Sequence, residues 1–344
     1  LLIMYTSGTT GLPKGAMLSH GNIIWNNVNA SYAFGSARGD VALTAAPLFH
    51  IGGLNVMTIA TLQAGNPLVL LRHFDPAATL DAISEHGVTH MFGAPAMFLF
   101  MSQHPSFGSA DLSSVKMFIV GGGPVPEPLI RLYGERGVTF CQGYGLTETS
   151  PFSAFLGAER CLEKVGSAGL PPVMSDLRIV DSQNQPVAVG ERGEVCCKGP
   201  NIMKGYWNRP EATAEVIDAE GWFHSGDIGY LDDEGYLYIC DRVKDMVISG
   251  GENVYPAEVE SVLYQHPDIA EVAVIGLPDP KWGEAVTAVV ALNPNTSLTL
   301  ESLREFATPL LARYKLPLGL HIVDQLPRNP AGKVLKFKLR EQFS

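Results

Sequence analysis

Tyr5-Thr6-Ser7-Gly8-Thr9-Thr10-Gly11-Leu12-Pro13-Lys14-Gly15 is the stretch that decides how this chain is read. It follows the apolar run Leu1–Met4, which reads as a buried strand, and it gathers glycines, hydroxyl side chains and one lysine. Glycines let backbone N–H groups come close to an anion, hydroxyls add donors, and Lys14 adds charge. In a Walker loop the lysine stands between Gly and Ser/Thr, whereas Lys14 lies between Pro13 and Gly15. That counts against a P-loop kinase or ATPase. The expectation is a phosphate-holding turn after a strand; the plain alternative is a mobile Gly/Thr turn.

Strand-length apolar runs at Leu68–Leu71, Met117–Val120 and Val138–Gln142 alternate with amphipathic helical patterns at Pro76–His86 and Pro126–Arg136. Such alternation predicts a mostly parallel α/β sheet over 1–165. From 166 to 241 the pattern becomes short strands with turn signals, at Leu177–Val180, Gly193–Lys198 and Tyr236–Cys240, which suits a small antiparallel, barrel-like subdomain. After Asp241-Arg242-Val243-Lys244-Asp245 comes a tail of domain size. Pro256 opens a helix striped with Val259, Val262 and Leu263. Strands follow at Glu271–Gly276 and Val286–Leu292, then a helix near Leu300–Tyr314 and a strand around His321–Val323. The expected architecture is a large α/β domain with a small β-barrel subdomain over 1–241, and a mobile α+β C-terminal domain over 242–344.

With 344 residues, 46% of them hydrophobic, the chain can bury a core for more than one domain. A formal charge of -11 argues against nucleic-acid binding and against electrostatic docking on an anionic membrane. It leaves room for an anionic substrate, because a phosphate site needs backbone N–H groups and few cations. The apolar stretch Val41–Leu71 is broken by Pro47, His50, Asn55, Gln63 and Pro67, so it reads as buried helix and strand rather than a membrane span. Peripheral membrane contact through an apolar surface stays open, as does the oligomeric state. From five cysteines without C-x-x-C spacing no metal or disulfide framework follows, and a reduced, cytoplasmic protein is the better reading.

The glycine-rich stretch resembles the signature of the adenylate-forming superfamily, which holds acyl-CoA synthetases, luciferases and peptide-synthetase adenylation domains. Gln142-Gly143-Tyr144-Gly145-Leu146-Thr147-Glu148 and Trp222-Phe223-His224-Ser225-Gly226-Asp227 look like two further motifs of that family. The segment 241–245, Ser249-Gly250-Gly251-Glu252-Asn253-Val254-Tyr255-Pro256 and Pro327-Arg328-Asn329-Pro330-Ala331-Gly332-Lys333 complete an ordered set spanning the chain.

The resemblance implies roles. Thr6, Ser7, Gly8, Thr9, Thr10 and Lys14 would hold the β- and γ-phosphates of ATP. Gly121, Gly122 and Gly123 would lie against the adenine, on which Tyr144 stacks; a strand-end turn and a core tyrosine are the ordinary alternatives. Thr147 would contact the α-phosphate and Glu148 would bind Mg²⁺, a hard cation that favours oxygen. Asp227 would accept both ribose hydroxyls, with Arg242 as a second ribose and phosphate contact. Lys333 would bridge the acyl oxygen and the α-phosphate; as an isolated residue beside Lys336, Lys338 and Arg340 it would be an ordinary surface charge. Lys244 occupies the hinge position, and Gly250, Gly251 and Glu252 lie on the segment that faces the site after domain rotation. His50 aligns with a histidine that orients the acyl group, the alternative being a satisfied core histidine. Trp282 sits where some relatives meet coenzyme A, or else packs on a turn.

The implied activity is an acid–thiol ligase that joins a small-molecule carboxylic acid to coenzyme A through an acyl-adenylate. The segment 248–256, Tyr206-Trp207-Asn208-Arg209-Pro210-Glu211-Ala212-Thr213 and Leu311-Ala312-Arg313-Tyr314-Lys315 point to the acyl-CoA synthetase branch. The likeness is greatest to bacterial fatty-acyl-CoA ligases, with aromatic-acid ligases next. The chain opens on Leu1 within a strand pattern, so an N-terminally truncated piece is expected. An inactive fragment retaining partial nucleotide binding is the rival reading.

Overall fold

The computed structural model describes residues 1–6, 13–35, 37–123, 125–328 and 334–344. It divides into two compact units: Leu1–Ser225 with Tyr230–Ile239, and Gly226–Gly229 with Cys240–Ser344.

The first unit opens on an antiparallel pair, β1 (Leu2–Thr6) and β2 (Lys14–Leu18), in register from Leu2↔Leu18 to Thr6↔Lys14. The run read as a buried strand is a strand, but only Met4 is buried; Leu1, Ile3 and Tyr5 are exposed. Successive side chains point to opposite faces, and this two-stranded ribbon buries only one of them. Ser19 then caps α1 (His20–Phe34): its Oγ accepts the Asn22 N–H at 3.1 Å, while Asn22 Oδ1 accepts the Ser19 N–H at 2.8 Å.

Six strands form the central sheet: β3 (Ala42–Thr44), β4 (Leu68–Leu70), β5 (His90–Gly93), β6 (Met117–Gly121), β7 (Phe140–Gly145) and β8 (Phe152–Leu156). Their order is β4-β3-β5-β6-β7-β8, and every pair is parallel except the last. The stretch before β4 is helical, a π-helical segment Gly53–Thr58 running into α2 (Ile59–Gln63). The expected helix over Pro76–His86 is α3, started by Asp75 Oδ1 accepting the Ala78 N–H at 2.8 Å. Two more helices follow, α4 (Pro95–Gln103) and α5 (Glu127–Gly134). Parallel sheets place their loops of interest at the carboxyl ends of the strands. Here those ends are Gly121 of β6 and Gly145 of β7.

The core under this sheet is aromatic. Phe98 lies with ring centroids 4.9 Å from Phe118, 5.2 Å from Phe140 and 6.3 Å from Tyr133. Tyr133 donates its hydroxyl to Phe98 O at 2.8 Å, so the buried polar atom is satisfied.

Beyond 166 a four-stranded sheet runs in the order β12-β11-β10-β9, from β9 (Asp176–Val180), β10 (Gly193–Lys198), β11 (Phe223–Leu231) and β12 (Leu237–Arg242). α6 (Pro210–Val216) stands between β10 and β11 in the chain.

The second unit is built on β13 (Val247–Ser249), β14 (Glu252–Val254), β15 (Ile269–Asp279), β16 (Gly283–Leu292) and β17 (Gly319–Ile322). The helices are α7 (Pro256–Leu263), α8 (Leu300–Ala307) and α9 (Lys336–Phe343). The β15–β16 hairpin is longer than the sequence pattern suggested, because β15 continues through Pro278. That residue is tolerated since, among the described residues, β15 pairs only with β16 and forms the sheet edge. The helix expected to reach Tyr314 ends at Ala307, with a separate 3₁₀ turn at Arg313–Lys315. Pro309 has no N–H to donate to the next helical turn. Among the described residues, no helix is long and apolar enough to cross a membrane.

Phe98 is fully buried. Phe98→Ala removes the ring on which three other aromatics pack and is expected to cost about 3–5 kcal/mol. Urea denaturation followed by tryptophan fluorescence measures this; a loss below about 1 kcal/mol rejects the cluster as the centre of the first unit's core.

Candidate functional site

The β1–β2 ladder fixes the two ends of the glycine-rich stretch. Thr6 and Lys14 face one another, and Thr6 Oγ1 donates to Lys14 O at 3.4 Å. Ser7, Gly8, Thr9 and Thr10 lie outside the described residues, as does Lys333. Lys14 Nζ stands 5.2 Å from the centre of the Tyr206 ring, within cation–π reach. Backbone pairing holds Tyr206 beside β2. It bridges Ala16, the Met17 N–H donates to Gly205 O at 2.9 Å, and the Trp207 N–H donates to Gly15 O at 2.8 Å.

Tyr206 also reaches Glu148, donating its hydroxyl to Glu148 Oε1 at 2.8 Å. Both side chains are buried, at 7% exposure for each residue. Burial first, and then the adjoining carboxylate, push the phenol well above the usual tyrosine range, so it stays protonated and keeps donating. Glu148 sits on a short 3₁₀ turn, Thr147–Thr149, pinned by the Met203 N–H donating to Glu148 O at 2.8 Å. The structure thus brings Lys14, Thr147 and Glu148 to one place and adds Tyr206. In the sequence, Tyr206 stands out only as part of a branch-specific segment. It lies 58 residues from Glu148, so no local pattern links them.

Tyr144 lies half-buried near the end of β7, packed against the cluster that contains Met4, Ala16 and Leu18. One residue away, Gly143 stands opposite Gly121 of β6. Gly122 takes φ 85°, a conformation glycine adopts without strain, and Gly122 and Gly123 are exposed. The adenine residues expected from the resemblance, Gly121 and Tyr144, therefore flank the same strand ends.

His50 is exposed, which removes the core-histidine alternative. Its Nδ1 accepts the Gly52 N–H at 3.1 Å, leaving the ring proton on Nε2. The Phe92 ring ties this turn to the sheet. A Cβ added at Gly52 would meet it at 2.8 Å, and one added at Gly121 at 3.1 Å. Nothing in the sequence marks Phe92, because an aromatic in a strand reads as core.

In the second unit, Arg242 Nε lies 3.0 Å from Oδ1 of the buried Asp227. Asp241, next in the chain to Arg242, anchors the segment: its Oδ2 accepts the Ala257 N–H at the start of α7, and its Oδ1 accepts the Arg242 N–H, both at 2.7 Å. Burial raises the Asp241 carboxyl despite the lowering influence of Lys336 and these two amides. Asp245 shows the opposite balance. Its burial favours the neutral form, but the bond from Arg340 on α9 at 2.8 Å, with Lys336 nearby, holds it below the usual carboxylate range. Lys244 is exposed between these anchored neighbours. The sequence signalled a hinge here but gave no hint that its two aspartates fasten it to α7 and α9.

Gly250 and Gly251 form the two-residue turn of the β13–β14 hairpin at φ 63° and 84°, positive values that such tight hairpins require. The Gly250 N–H donates to Trp282 O at 2.8 Å, and a Cβ at Gly250 would stand 2.9 Å from the Trp282 ring. All three expected coenzyme A contacts therefore come together on two adjoining turns, with the Trp282 ring 40% exposed.

Residues 1–207 match the family model described as AMP-binding enzyme, and residues 258–333 match AMP-binding enzyme C-terminal domain. A feruloyl-CoA synthase from an Amycolatopsis species is 47% identical over 342 residues, covering 99% of this chain and 70% of the relative. The long-chain-fatty-acid–CoA ligase FadD13 of Mycobacterium tuberculosis is 43% identical over 346 residues, covering all of this chain and 68% of the relative. The o-succinylbenzoate coenzyme A synthetase of Bacillus subtilis, solved with ATP and magnesium ion, superposes with a TM-score of 0.90 at 38% identity. That match covers 99% of this chain and 69% of the other. The chain belongs to the AMP-binding enzyme family, and these relatives within it are CoA ligases.

Proposed function

We propose that this chain belongs to an AMP-forming acid–CoA ligase that activates an apolar carboxylic acid with ATP and transfers the acyl group to coenzyme A. The observation that carries the reading is the Lys14–Tyr206–Glu148 arrangement, in which a cation at the foot of the glycine-rich stretch and a buried carboxylate share one phenol. A cation near the β- and γ-phosphates and an oxygen ligand beside the α-phosphate are what a pyrophosphate-releasing reaction demands. The Glu148 carboxylate supplies oxygen donors, which fits Mg²⁺, and it is the residue that would hold it, with Thr147 at the α-phosphate. When bound, that ion neutralises charge on the phosphates.

The remaining roles follow the same reading. Attack of a carboxylate on the α-phosphorus brings two anions together, so the protein's main task is fixed positive charge. Lys333 is assigned to the acyl oxygen and α-phosphate, and Ser7, Gly8, Thr9 and Thr10 to the outgoing pyrophosphate. Gly121–Gly123 and Tyr144 take the adenine, and Asp227 with Arg242 takes the ribose. His50 with Phe92 borders the acyl group. In the thioester step the sulfur of coenzyme A attacks the adenylate carbonyl and AMP leaves. Gly250, Gly251 and Trp282 serve the incoming coenzyme, and Lys244 is the pivot between domains 1–241 and 242–344. A reducing, cytoplasmic setting belongs to the same proposal.

Two acid classes compete. A fatty acid is the first expectation from the sequence, and the FadD13 relative supports it. An aromatic acid has the support of a relative with higher identity, the feruloyl-CoA synthase at 47% against 43%. A panel of both classes, incubated with ATP and coenzyme A and read by mass spectrometry, decides between them. AMP and one class of acyl-CoA are expected; release of ADP ends the reading altogether.

Lys333→Ala is expected to slow adenylate formation on the order of 10²–10³-fold while leaving thioester formation from presynthesised acyl-AMP much closer to normal. Equal losses in the two half-reactions reject its assigned role. Tyr206→Phe leaves Glu148 Oε1 without its donor. It should raise the Mg²⁺ concentration needed for pyrophosphate release, on the order of 10-fold, with circular dichroism unchanged. An unaltered Mg²⁺ titration shows that the phenol does not set the carboxylate.

A further inference from the structure

Outside those residues, three donor side chains of mixed chemistry converge on the neighbouring strands β10 and β11. Glu194 and Cys196 are two apart on β10 and so share one face; His224 lies on β11. His224 Nδ1 is 2.9 Å from Glu194 Oε2 and 3.4 Å from Cys196 Sγ, and one donor atom from each residue falls within 4.8 Å of the other two. Cys196 is fully buried, while His224 and Glu194 are only partly covered, leaving an approach from solvent.

The spacing can be tested against a tetrahedral ion. Zinc–nitrogen and zinc–sulfur bonds of about 2.0 and 2.3 Å at a tetrahedral angle set N and S about 3.5 Å apart. His224 Nδ1 and Cys196 Sγ already stand at 3.4 Å. Relative to the imidazole, the Glu194 carboxylate has to withdraw by about half an ångström, a small motion for a partly exposed side chain.

The surroundings also fit. Asp218 Oδ2 lies 3.6 Å from His224 Nε2, on the side where a metal-bound histidine usually meets a carboxylate that fixes its tautomer. Arg178, opposite Cys196 on β9, is a nearby cation that opposes a metal. Its guanidinium hydrogen-bonds to Cys196, a contact a metal would replace, and it is also held by Asp218 at 3.0 Å, Glu220 at 3.5 Å and the Trp222 ring, whose centre lies 4.3 Å away. A divalent ion would then be balanced by the Glu194 carboxylate and the Cys196 thiolate.

We propose that Glu194, Cys196 and His224 form a binding site for one ion of the zinc class, with water as the fourth ligand. Carboxylate, thiolate and imidazole together suit Zn²⁺ better than Mg²⁺ or Ca²⁺, which take oxygen. On loading, the Cys196 S–H bond breaks, an S–metal bond forms and the proton leaves to solvent. This site does not depend on the acid–CoA reading.

The test uses the purified chain equilibrated with zinc, desalted and analysed for metal, and in parallel loaded with Co²⁺ and scanned for thiolate-to-cobalt absorption. One zinc per chain and a thiolate band are expected. Both should disappear in Cys196→Ser and persist in Cys240→Ser, and Glu194→Gln should weaken zinc at least on the order of 10-fold. Circular dichroism checks that each variant folds; if Cys196→Ser does not, the zinc affinity of Glu194→Gln decides. A wild-type chain that takes up no zinc, a folded Cys196→Ser that keeps one equivalent, or an unchanged affinity in Glu194→Gln overturns the proposal.

Discussion

A buried carboxylate has to be compensated, and among the described residues Glu148 is compensated by a phenol rather than by a cation. The hydrogen bond from Tyr206 satisfies one carboxylate oxygen while leaving the group's charge intact for a ligand. Had a lysine or arginine made that contact, the charge would have been neutralised inside the protein. The arrangement also couples distant stretches of chain. The phenol is placed by pairing between the 205–207 segment and β2, and the carboxylate by the turn after β7 and its bond from Met203. The foot of the glycine-rich stretch, the end of the central sheet and the segment before α6 are thereby held in one frame.

The second unit uses its charged residues differently. Asp241 and Asp245 do not wait for a ligand: the first takes the opening amide of α7, and the second takes Arg340 of α9. Between these two anchors lie Arg242, which pairs with Asp227, and the exposed Val243 and Lys244. Opposed pKa directions in two aspartates four residues apart follow from this. Burial dominates at Asp241, where Lys336 and two backbone amides answer the charge, and the direct bond from Arg340 prevails at Asp245.

Much of the fold was legible because local signals were unambiguous. Asp75-Pro76 and Gly87 bracket α3 with a cap, a first-turn proline and a left-handed stop, and the helix runs between them as the pattern predicted. β10 matched residue for residue. What the sequence hid was decided by partners far along the chain. Alternation alone could not say which face of β1 is covered, and the strand read as Glu271–Gly276 runs on through Pro278 because β15 lies at the sheet edge. The site was legible as a set of motifs, and the joining of Gly250 to Trp282 turned three separate residues into one surface. The roles of Tyr206, Phe92 and Asp241 were not legible because they lie in contacts across the fold, which no spacing rule encodes.

The edge proline has a wider consequence. An outer strand offers a row of unpaired amides and carbonyls to any extended segment that meets it. Pro278 takes one amide out of that row near the exposed end of β15, so a foreign strand laid alongside would lose its register there. The same residue that lengthens the hairpin past its expected end also makes this border a poor template for stacking one copy on another.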